Sequence, residues 1–176
     1  MERRTAFKVF RRDGSINAVV ESPRGSVIKF KYDPAEGVMT LARPLPAGLL
    51  YPFDWGFIPV TRAADGDPLD AFILWDGTSY PGIVIPSRPI GILQVEQTSA
   101  TSNRRQRNDR VAVVPLKAPR QESLKSIFDV PERVRAEFEL WFLHSVAFEG
   151  QDPTVLAWKG SDAALKTIRA ASSRRR

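Results

Sequence analysis

The sequence contains no cysteine and a single histidine among its 176 residues. Without cysteine there are no disulfides, no thiolate metal sites and no cysteine nucleophile. With one histidine, His144, neither a thermolysin-like zinc centre nor a papain-like pair can be assembled. His144 stands among Leu140, Trp141 and Phe148 and reads as a packed or surface-edge residue. Long apolar runs are missing too. The segment "GIVIPSRPIGIL" is cut by Pro and Arg, short of the ~18 residues that a membrane span needs. The N-terminal "MERRTAFKVFRRDG" lacks an apolar stretch behind its charges and does not read as a secretory signal. A reducing, cytoplasmic location suits such a chain.

What is present is ordinary for a globular protein: 43% hydrophobic and 26% charged residues, enough for one domain over 1–176 with one core. The net charge is +6, and arginine outnumbers lysine 19 to seven. The arginines gather in "RRTAFKVFRR", in "NRRQRNDR" and at the last three positions. A basic balance favours anionic partners, whether phosphates, nucleic acid or an acidic surface.

Short alternating segments punctuated by Pro and Gly predict strands at Ile16–Glu21, Val27–Asp33, Val38–Ala42, Trp55–Val60, Asp70–Trp75, Ile90–Glu96 and Arg110–Leu116. "PTVLAWKG" predicts one more. Such strand density points to a closed or nearly closed barrel. Val134, Phe138, Trp141, Phe142 and Ser145 recur at helical spacing behind Pro131, and a second helix is expected after Ser161. Residues 98–109 carry no periodicity and are expected to form a loop.

The chemistry concentrates in "DGDPLD", where Asp65, Asp67 and Asp70 stand within six positions. Asp-Gly-Asp-Pro is a natural turn. Three carboxylates leading into a strand are also the hard oxygen donors that Mg²⁺ takes, one or two at a time, with water and phosphate completing its shell. A calcium EF-hand is excluded, because its sixth position demands glycine and here holds Asp70. Upstream lie Glu21 and Lys29, expected on adjoining strands, then Arg43, Tyr51 and Asp54. Lys, Arg and Tyr are donors suited to phosphate oxygens.

In this order the residues resemble the soluble family I inorganic pyrophosphatases. "DGDPLD" fits that family's Asp-x-Asp-[Pro/Glu]-apolar-Asp signature. "YPFDWGFIP", "SRPIGIL" and "ESPRGSVIKFKYD" are similar to three further family segments, so the likeness runs through about residues 19 to 160. The resemblance implies an α+β, mainly β fold: a small closed OB-like barrel flanked by two C-terminal helices. It implies Mg²⁺-dependent hydrolysis of diphosphate to two phosphates, with Mn²⁺ as a substitute ion, in a homo-oligomer. By resemblance Asp65, Asp70 and Glu21 belong to the metal side, with Asp109 expected to join them. Asp67 takes a proton from the attacking water. Lys29, Arg43, Tyr51 and Arg110 hold phosphate.

Several family positions differ. The carboxylate two residues after Lys29 is here Lys31; a tyrosine is Trp55; a metal-binding aspartate is Gln97. Asn108 stands near a second lost acid, and a Tyr-Lys pair falls at Ser145 and Val146. The changes predict a slower site and leave two other readings open. One is a phosphohydrolase of the same fold for another diphosphate or a phosphate ester. The other is an inactive module binding anions or nucleic acid through the Arg-rich loop, with Trp55 as an exposed stacking surface.

Overall fold

The computed structural model describes residues 8–173, so the arginines expected in the basic tails at 3, 4 and 174–176 lie outside the described residues. Nine strands form: β1 (Ile16–Ser22), β2 (Ile28–Asp33), β3 (Val38–Pro44), β4 (Asp54–Ile58), β5 (Leu69–Ile73), β6 (Val84–Thr98), β7 (Arg105–Arg107), β8 (Arg110–Pro115) and β9 (Thr154–Gly160). Among the described residues two α-helices complete the fold, α1 (Glu132–Ser145) and α2 (Ser161–Ser173), with short 3₁₀ turns at Pro119–Gln121 and Ile127–Asp129.

Strand β6 closes the barrel. At 15 residues it is long enough to pair first with β1, through Ile16–Ser87 to Val19–Val84, and then with β8 and β9. The ring therefore runs β1, β4, β5, β8, β6 and back to β1. Only β5 and β8 pair in parallel within it. The expected β-barrel with two C-terminal helices is what forms. The expectation of a loop at 98–109 needs correction, because Gln106 lies opposite Gln97 and β7 extends β6 as a short hairpin. Backbone pairing there needs no apolar alternation, so no periodicity announced it.

Alternation along the strands splits the apolar residues between two cores. Leu69, Ala71 and Ile73 of β5 join Ile16, Ala18 and Val20 of β1, Val111 and Val113 of β8, and Ala164, Ile168 and Ala171 of α2. Phe72 and Leu74 face the other way, with Ala112 and Val114 and with Phe138 and Phe142 of α1. Helix α1 buries its apolar stripe here; Phe138 and Phe72 stack with ring centres 4.2 Å apart. Trp55 fills the middle of this aromatic core and is only 6% exposed. The expectation of an exposed stacking tryptophan is overturned.

Strand β4 ends at Ile58, two residues earlier than its apolar run implies, because Val60 turns to φ 65°. Thr61 then staples the break: its hydroxyl donates to the Ile58 carbonyl at 2.6 Å and accepts from the Leu69 amide at 2.9 Å. This staple sets the base of the acidic turn. Close approach of β4 to β1 requires Gly56, since a Cβ there would lie 1.8 Å from the Val19 carbonyl oxygen. Gly56→Ala must push the two strands apart, and chemical denaturation should show a loss of about 3 kcal/mol or more. A variant within about 0.5 kcal/mol of the wild type would contradict the close approach.

Candidate active site

The acidic turn is built by its own side chains and backbone. Asp65 accepts the Asp67 amide at 3.1 Å, Ala63 donates its amide to the Asp67 carbonyl at 2.7 Å, and Gly66 takes φ 94°. Asp65 and Asp67 are exposed on the turn, while Asp70 already belongs to β5. A groove of about 560 Å³ runs along Arg62, Ala63, Ala64, Asp65 and Gly66 beside them. Arg62 overlies the turn, with a guanidinium nitrogen 3.9 Å from where a Gly66 Cβ would be. Nothing in the sequence marked it except its place just before the aspartates.

Pairing places a cation beside the third aspartate. Asp70 and Arg110 are direct partners in the parallel β5–β8 register, and the Arg110 Nε lies 3.6 Å from the Asp70 carboxylate. Arg110 is 4% exposed. One end of its guanidinium donates to the Asn108 carbonyl and to Gln97 Oε1, and its plane lies 4.5 Å over the Phe142 ring. Its buried Nε has no hydrogen-bond partner. Burial pulls the Arg110 pKa down from its ordinary value, while Asp70, Asp65 and Asp109 push it back up.

The two-stranded sheet of β2 and β3 supplies the other cations. Its inner edge is held by side chains rather than a backbone ladder: Ser22 Oγ accepts the Phe30 amide at 2.9 Å and Glu21 accepts the Tyr32 amide at 2.8 Å. Tyr32 stacks on Phe57 at 6.1 Å, and Phe57 lies opposite Asp70. The hairpin thus leans toward the acidic turn, and Lys31 Nζ reaches Asp67 at 2.8 Å. Lys29 shares the Lys31 face by alternation and makes no ion pair among the described residues. Arg43, its cross-strand neighbour, is turned toward the end of α1, where it donates to the Ser145 carbonyl at 2.8 Å and meets Glu149 at 3.1 Å.

Glu21 and Tyr51 form the buried wall. Burial pushes the Glu21 pKa up to about 7; the Tyr32 amide, Lys29 and Lys31 oppose the rise and Asp70 adds to it. Tyr51 is 3% exposed and packs its ring 5.0 Å from Trp141. Burial pushes its hydroxyl up to about 12, so it remains a neutral donor. Asp65 is also raised, first by partial burial and then by Asp70 and Asp67.

Of the residues read from the sequence, Glu21, Lys29, Tyr51, Asp65, Asp67, Asp70 and Arg110 are linked by contacts, register or mutual electrostatics. Asp109 is turned elsewhere: both its oxygens bind Arg107 at 2.8 Å and one accepts the Val95 amide. Asp54 leaves the site altogether and clamps the Arg24 amide and the Trp75 indole. Two arginines of the loop already have partners, Arg105 with Asp152, Thr154 and Glu96 and Arg107 with Asp109.

Among the described residues no three carboxylates converge closely enough to cage an ion unaided. Asp65 and Asp70, with Glu21 behind, nevertheless make a repelling acidic edge that a cation would relieve. A donor set of one or two carboxylates with open sides fits Mg²⁺, which keeps several waters. It does not fit a group of several ions, because Lys31 and Arg110 already face Asp67 and Asp70, and Gln97 near the end of β6 and Asn108 just before β8 carry no charge.

The sequence model described as Pyrophosphatase: Inorganic pyrophosphatase matches residues 18–176. The inorganic pyrophosphatase of Synechocystis sp. is 36% identical over 155 residues, 88% of each chain. That of Thermus thermophilus is 37% identical over 162 residues, 90% of this chain and 89% of its own. A crystal structure of inorganic pyrophosphatase from Thermus thermophilus superposes with a TM-score of 0.87 at 35% identity, over 96% of this chain and 95% of that one.

The raised Glu21 makes a prediction for metal-free protein. Its folded pKa lies above the ordinary 4.5, so its favourable contribution is complete below about pH 4.5 and is lost as pH rises to about 7. Glu21→Gln removes the titration, so the variant should gain on the wild type by up to about 3 kcal/mol between about pH 5 and 8. Denaturant unfolding at both values checks this; parallel pH dependences would refute it.

Proposed function

The chain belongs to the inorganic pyrophosphatase family, and on that footing we propose that it hydrolyses diphosphate to two phosphates at the edge formed by Asp65, Asp67 and Asp70. The family is one of metal-dependent hydrolases, and we assign Mg²⁺ as the ion here, with Asp65 and Asp70 holding it and Glu21 holding its water. When bound, the ion supplies Lewis-acid charge to phosphate oxygens and makes a bound water easier to deprotonate.

The chain's own residues do the rest. Asp67, exposed on the turn, takes the proton from the attacking water. To do so it must leave Lys31, whose ammonium is free to follow the incoming phosphate. Lys29, with no carboxylate partner, contacts one phosphate as a point charge. Tyr51 donates a neutral hydrogen bond to another oxygen, its high pKa keeping the proton in place. Arg43 reaches the leaving phosphate by exchanging its Ser145 and Glu149 contacts for phosphate oxygens. Arg110 is tied down by the Asn108 carbonyl, Gln97 and the Phe142 ring with its Nε toward Asp70, and we assign it to balancing Asp70 rather than binding phosphate.

We propose further that the working form is a cytoplasmic homo-oligomer. The lack of cysteine and the exposure of Phe148 (85%), Leu140 and Leu156 support this. None of the described helices is long and apolar enough to cross a membrane.

The observation that carries the activity is the order Asp65, Asp67, Asp70 on a stapled turn facing Lys29, Lys31 and Tyr51. Purified protein with Mg²⁺ should release phosphate from diphosphate, and Asp67→Asn should lower the rate by about 10²-fold or more while leaving the fold intact. Wild-type turnover in that variant would sink the role of Asp67. Chelation with EDTA should stop release and added Mg²⁺ restore it; unchanged turnover in EDTA would count against a metal.

A further inference from the structure

The acidic edge contains more protein cations than a site waiting for several metal ions can use. Lys31 Nζ is 2.8 Å from Asp67, although both side chains are more than half exposed and free to part. Arg110 is enclosed behind Asp70, fixed by Asn108, Gln97 and the Phe142 ring, with its buried Nε turned to the carboxylate and bonded to nothing else. Arg110 is held by uncharged acceptors, the Gln97 side-chain oxygen and the Asn108 backbone carbonyl, and both residues are buried, at 3% and 7% exposure. An amide oxygen accepts from a guanidinium without adding charge.

We propose that Lys31 and Arg110 stand in for bound divalent ions, so that in the absence of substrate this site takes a single Mg²⁺-type ion, at Asp65 and Asp70. The charge count agrees. Glu21, Asp65, Asp67 and Asp70 supply four negative charges when ionised, and Lys31 and Arg110 cancel two. The remainder is the charge of one divalent ion. Lys29 makes no ion pair among the described residues and is kept for phosphate. The inference deepens the proposed function and rests on its assignment of the acidic turn as the metal-holding edge.

Lys31 also becomes the residue that sets how much metal the enzyme needs. In the free site it covers Asp67. When a phosphate arrives, its ammonium transfers to a phosphate oxygen, a hydrogen-bond exchange in which no bond is made or broken covalently and no proton moves. Asp67 is uncovered only when substrate is present. Lys31 is thus a positioning residue for Asp67 and a charge substitute for an ion on the same side.

Counting bound Mn²⁺ by electron paramagnetic resonance, on whole protein without diphosphate, tests this apart from turnover. Wild type should bind one ion per chain. Lys31→Glu removes a cation and adds a carboxylate, and should bind two. Lys31→Met, which removes the charge alone, should bind its Mn²⁺ about tenfold tighter or more. The exposed position of Lys31 makes both variants compatible with the fold, and circular dichroism checks it; should Lys31→Glu fail to fold, Lys31→Met decides. Two or more ions on wild type, no ion, or an unchanged count and affinity in the Lys31 variants overturns the proposal. If the counts come out as expected while phosphate release is absent, the functional reading fails and the charge substitution stands.

Discussion

In the parallel pairing of β5 with β8, Asp70 and Arg110 share one register position, and much of the site follows from that neighbourhood. A carboxylate on the inner lip of a barrel is costly unless a cation answers it, and a buried arginine is costlier still. Here each makes the other tolerable, with Gln97, Asn108 and Phe142 satisfying most of the guanidinium. Asp70 can then sit next to an acidic turn without unfolding the strand that carries it. Removing either partner would leave a charge half-enclosed against the aromatic core of α1.

The same economy of charge appears one layer out. The β2–β3 hairpin is tied to β1 by Ser22 and Glu21 side chains, and its stacking of Tyr32 on Phe57 carries Lys31 over the turn. Glu21 therefore has two duties, holding the hairpin through the Tyr32 amide and facing Asp70 across the site. Its pKa is raised by burial first and by Asp70 second, against the pull of the Tyr32 amide. A phosphate-cleaving site needs a concentration of acids for its metal and of bases for its substrate, and the fold delivers them on separate elements: acids from β1, the turn and β5, cations from the hairpin.

Much of this was legible in the sequence. The strands from β1 to β5, the helices and the acidic signature could be read because each depends on local alternation, capping or turn chemistry. The closure of the ring was legible only as a class, since it rests on β6 pairing along both edges, a long-range fact. Asp109 read as a ligand by resemblance, but Arg107 two positions earlier takes both its oxygens. The Arg-rich loop read as an anion-binding surface, yet Arg105 and Arg107 already meet carbonyls and carboxylates of neighbouring residues. Trp55 read as an altered site residue and proved to be core. Lys31 was visible as a changed charge; its partner Asp67 was not, because they are 36 residues apart and meet only through the hairpin's tilt.

The central claim is that side-chain cations and a single divalent ion together balance this site. A crystal structure with Mg²⁺ and a diphosphate analogue whose bridging oxygen is a methylene tests it most directly. The account predicts one ion, held by Asp65 and Asp70, before the analogue is added, and, with the analogue bound, Lys31 moved from Asp67 onto a phosphate oxygen and Arg110 still behind Asp70. Several protein-bound ions without the analogue, or Lys31 still on Asp67 with it, would contradict it.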